Sequence, residues 1–68
     1  MTPITKMVLR FIKENLDSNN QIKISNYKIA QELGVHEVSV SRCIGLLRQQ
    51  GVIVIENGGS TKRTITLL

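Results

Sequence analysis

The sequence predicts a small α+β fold of three helices, a short strand and a C-terminal β-hairpin. Three observations lead there. Apolar residues recur at three- and four-residue spacing early in the chain. Two glycines, Gly34 and Gly51, each close a short helical pattern. Two β-branched runs then follow, separated by a Gly-rich turn.

Taken in order, the first helix is expected over residues 3–17. Thr2 is a good cap, and Pro3 suits a first turn that does not use its missing N–H. Ile4, Met7, Val8, Phe11, Ile12 and Leu16 form one apolar face, with Lys6, Arg10, Lys13, Glu14 and Asp17 between them. The turn formers Asp17-Ser18-Asn19-Asn20 end it. In residues 21–24, Ile22 and Ile24 alternate with Gln21 and Lys23, the pattern of a brief strand with one buried face. Ser25 caps a second helix over 26–33, and Gly34 stops it because glycine takes left-handed backbone angles without strain. A third helix is expected over 37–50, with Val40, Cys43, Ile44 and Leu47 inward. The hairpin occupies 52–68, its strands Val52–Ile55 and Thr64–Leu68 turning at Asn57-Gly58-Gly59.

Sixty-eight residues make one domain without repeats or linkers. No apolar run approaches the roughly 20 residues of a membrane span, and the charges within MTPITKMVLRFIKEN argue against a signal peptide. A lone cysteine, Cys43, fits a reducing cytoplasm, and it is read as small core filler. Nine Lys and Arg against five Asp and Glu give +4, the sign expected of a partner for phosphates. One Phe, one Tyr and no Trp are too few for a platform that stacks unpaired bases.

Catalysis is not expected, and neither a cofactor nor a metal is. His36 and Cys43 lie seven residues apart, about 10 Å along a helix at 1.5 Å per residue, too far for proton transfer. No His, Cys or carboxylate cluster has metal-ligand spacing.

The informative stretch is SNYKIAQELGVHEVSVSRCIG, residues 25–45. Two helices crossing steeply around a tight turn need a small residue within the first, which Ala30 supplies. They need a residue tolerant of positive φ at the turn, which Gly34 supplies, and a shared apolar core, for which Ile29, Leu33, Val35, Val40 and Cys43 stand ready. That is a helix-turn-helix. With "KIAQELGV" followed by "VSVSRCIGLLRQQGVIVI", residues 22–68 resemble the winged helix-turn-helix family of bacterial regulators.

The resemblance implies DNA binding, with the third helix in the major groove. Its outward N-terminal residues would then be His36, Glu37, Val38, Ser41, Arg42 and Gly45. Arg42 suits a bidentate contact to guanine, Glu37 could accept from cytosine, Val38 could meet a thymine methyl, and Ser39 and Ser41 suit phosphates. A wing carrying Ser60, Thr61, Lys62 and Arg63 would reach the backbone or the adjacent minor groove, and Lys28 would meet another phosphate. Gly45 costs about 1 kcal/mol against alanine within a helix, and either DNA or another helix could be what approaches it.

The function expected is that of a small transcriptional regulator, or of the DNA-anchoring module of a replication or recombination protein. Duplex DNA is the first partner read. Two alternatives stand beside it: a protein-interaction module of a replication complex, favoured by an exposed apolar patch around Val38, and single-stranded DNA held by Lys28, Arg42 and Lys62. A homodimer built on the first helix would add two half-sites together.

Overall fold

The computed structural model describes residues 2–56 and 63–68. Its elements are α1 (Pro3–Glu14), β1 (Gln21–Ile22), α2 (Asn26–Leu33), α3 (Glu37–Gln49), β2 (Ile53–Glu56) and β3 (Thr64–Leu67). The three strands form one antiparallel sheet in the order β1-β3-β2. Gln21 stands opposite Thr66, Ile22 opposite Ile65, and Ile53 opposite Leu67. The architecture is the expected three helices with a short strand and a hairpin, an α+β winged helix-turn-helix.

Helix α1 begins as its sequence dictates: the Thr2 hydroxyl accepts from the Thr5 amide at 3.2 Å, and Pro3 occupies the first turn. It ends at Glu14, three residues before the expected boundary. The cause is Asp17, whose carboxylate accepts from the amides of Asn19 at 2.8 Å and Gln21 at 3.0 Å. Short polar side chains of this kind offer the backbone a turn in place of a further helical bond. Asn20 follows at φ 60°, a left-handed angle that asparagine tolerates. Asn15 closes the helix by donating from its side chain to the Phe11 carbonyl at 2.8 Å.

The buried face of α1 also differs from the expected one. Met7 is 40% exposed, while Thr5 is buried beside Val8 and Ile12. A threonine can lie there because its hydroxyl is satisfied, at 2.7 Å from the Thr2 hydroxyl and 3.3 Å from the Cys43 sulfur.

Strand β1 is shorter than the alternating pattern suggested, stopping at Ile22. The Ile24 carbonyl instead accepts from the Arg63 side chain, and Ser25 already caps α2 by accepting from the Lys28 amide at 3.1 Å. Helix α2 stops at Gly34, which sits at φ 68° as the turn requires. The core joins all the helices to the hairpin through Val8, Ile12, Ile29, Ala30, Val40, Cys43, Ile44, Leu47, Ile53 and Ile65. Burying α3 along Val40, Cys43, Ile44 and Leu47 fixes which side of that helix is left outside.

Candidate nucleic-acid interface

Helix α3 turns its other face to solvent. At 3.6 residues per turn, Val38, Ser41, Arg42 and Gly45 fall on the side opposite the buried four, and all of them are exposed. His36 is the N-cap residue and exposed, though its side chain makes no capping bond. Glu37 occupies the first turn, where a carboxylate is favoured by the positive end of the helix dipole. That local role explains an acidic residue on an otherwise uncharged helix start. Val38 is 62% exposed, a large apolar residue with no packing role.

Ser39 behaves differently from its neighbours. It is half-buried and lines a groove of about 240 Å³ between the start of α1 and α3, with Thr2, Ile4, Thr5, Arg42 and Leu46 among the other walls. Arg42 stands at the rim of that groove and is exposed, and among the described residues it takes part in no ion pair. Its guanidinium is therefore available to an outside acceptor.

Lys28, on the first turn of α2, is also exposed and lies 3.8 Å from Glu32 one helical turn on. Both side chains are at least half exposed, so the pair contributes under about 1 kcal/mol and yields readily to a phosphate. Ser60, Thr61 and Lys62 lie outside the described residues.

Arg63 is a correction. The sequence placed it on an exposed wing, but it is 5% exposed. Its Nε donates to the Ile24 carbonyl at 3.0 Å, and its Nη2 donates to the Asn26 side-chain oxygen at 2.6 Å. Burial pushes the guanidinium below its ordinary value, and the two oxygens offset part of that desolvation. The residue fastens the start of β3 to the start of α2.

Two residues near this face were not singled out for it. Arg48 is exposed on α3 seven residues after Ser41, and so on the same flank; the signal was its spacing. Tyr27, on the first turn of α2, is 58% exposed, and its hydroxyl accepts from the Gln31 side chain at 3.1 Å. With His36 and Glu37 it borders a second groove, of about 350 Å³, at the turn between α2 and α3.

A tight α2-turn-α3 unit backed by a three-stranded sheet can lay α3 into a groove of matching width. A family model described as a Crp-like helix-turn-helix domain matches residues 5–68, nearly the whole chain. The chain belongs to the Crp-like helix-turn-helix family. No curated protein and no solved structure matches it. As a Crp-like helix-turn-helix domain it is a DNA-binding module, from a family that binds rather than catalyses. Among the described residues no group of His, Cys, Asp and Glu is arranged to hold a metal ion. Among the described residues, no helix is long and apolar enough to cross a membrane.

Proposed function

We propose that this domain binds double-stranded DNA as the reading head of a transcriptional regulator, with α3 in the major groove. The observation that carries the reading is the two-sidedness of α3. Its buried side is wholly apolar, while its outward side presents Arg42 without an ion-pair partner among the described residues, beside Ser41 and Val38. Arg42 serves guanine, Val38 a thymine methyl, and Ser41, Lys28 and the half-buried Ser39 the phosphates. Glu37 and His36 stand at the N-terminal end of the same helix. The cytoplasm is the compartment in which this chemistry takes place.

The test is a fluorescence-anisotropy titration of labelled duplex and labelled single-stranded DNA at several salt concentrations. Duplex binding is expected to weaken with a slope near −0.9 for each phosphate contacted on a log–log plot. Equal or stronger binding to the single strand, or duplex binding indifferent to salt, overturns the reading.

A second reading has its own observation. Val38 is 62% exposed on an otherwise polar helix start, as a protein contact in a larger assembly would require. Substitution Val38→Ser separates the two. Loss of DNA affinity belongs to the first reading, and loss of association between proteins to the second.

A further inference from the structure

Gly45 has no reason within the described chain to be glycine. It lies inside α3 and is not among the glycines with left-handed angles, which are Gly34 and Gly51. No backbone demand therefore selects it. A Cβ placed there meets nothing within 4 Å, so no close packing against another element selects it either. The helix nonetheless carries the entropic cost of a glycine in its interior.

The location of that cost is informative. Gly45 lies seven residues after Val38, four after Ser41 and three after Arg42, on the outward side of α3. We infer that Gly45 is the point at which the backbone of α3 comes closest to the duplex, its missing side chain setting how deeply the helix seats. This rests on the DNA-binding reading above and deepens it. Duplex DNA fits the neighbours better than a second helix does. Arg42 and Ser41 flank the glycine with a cation and a hydroxyl that phosphates and base edges satisfy, whereas a helix–helix contact would bury the Arg42 charge at a desolvation cost. Gly45 reads no base itself; it lets Val38 and Arg42 reach further into the groove.

The variants Gly45→Ala, Gly45→Leu and Arg42→Ala test this by duplex anisotropy, thermal unfolding and sedimentation equilibrium. Gly45→Ala is expected to raise Tm by about 4–8 °C while weakening duplex binding about tenfold. Gly45→Leu weakens it further, and neither changes the association state. A stabilised Gly45→Ala that binds as tightly as the wild type, while Arg42→Ala binds worse, overturns this inference and leaves the DNA reading intact. Absence of duplex binding by the wild type removes both. An association state altered by Gly45→Ala overturns the inference in favour of a contact between copies.

Discussion

Arg42 and Arg63 carry the same side chain and occupy opposite situations. Arg42 stands exposed on the outer side of α3, without an ion-pair partner among the described residues. Arg63 is buried immediately before β3, with oxygens from Ile24 and Asn26 within 3.0 Å. From the sequence both are cations expected on the DNA-facing surface. The difference teaches that positive charge assigns a residue to a nucleic-acid interface only once its intramolecular acceptors are known. A guanidinium that already holds carbonyl and amide oxygens is an element of the fold; one that holds none is available to a ligand.

The comparison is broken most forcefully at Arg63. Replacement by alanine leaves the Ile24 carbonyl and the Asn26 side chain without their donor, and urea unfolding is expected to show a loss of about 2–3 kcal/mol. A stability change inside ±0.5 kcal/mol would place Arg63 among ordinary surface residues. Arg42→Ala is expected to do the reverse. Its unfolding midpoint stays near that of the wild type, and duplex affinity falls by about 1–3 kcal/mol at a guanine-containing site. Lys28 sharpens the contrast from between the two, because it is exposed but already beside Glu32. Lys28→Ala should change stability by less than about 0.5 kcal/mol. It should weaken binding to all duplex sequences alike, with the salt slope reduced by about 1.

The helix-turn-helix was the most legible region, because each of its demands falls on one residue type at one position. Ala30 is buried and Gly34 is left-handed. The four inward residues of α3 are all in the core. Helix α1 was less legible. Its apolar spacing could not say that Thr5 would displace Met7 from the core, since this depends on hydroxyl partners at Thr2 and Cys43 that only the packed helices bring together. Nor did it show that the Asp17 carboxylate would take up two backbone amides and end the helix early. The candidate site divides along the same line. The outward set on α3 follows from what the helix-turn-helix resemblance implies, once the inward four are placed by their spacing. The inward turn of Arg63 depends on contacts with residues 37 and 39 positions earlier in the chain, which no local pattern carries.

The family match covers residues 5–68 and supplies the DNA-binding role; nothing in it points to replication. What the chain adds is its own choice of residues on α3, with two exposed arginines, one exposed valine and one glycine where longer side chains would also fit.

The most direct measurement is a chemical-shift map of backbone amides as a short duplex is added to labelled protein. Shifts are expected to concentrate on His36–Gly45 and around Lys28, while amides of Ile12 and Ile65 in the core stay in place. Shifts confined to α1, or none at salt low enough to favour any phosphate contact, would contradict the assignment of α3 as the DNA-facing helix.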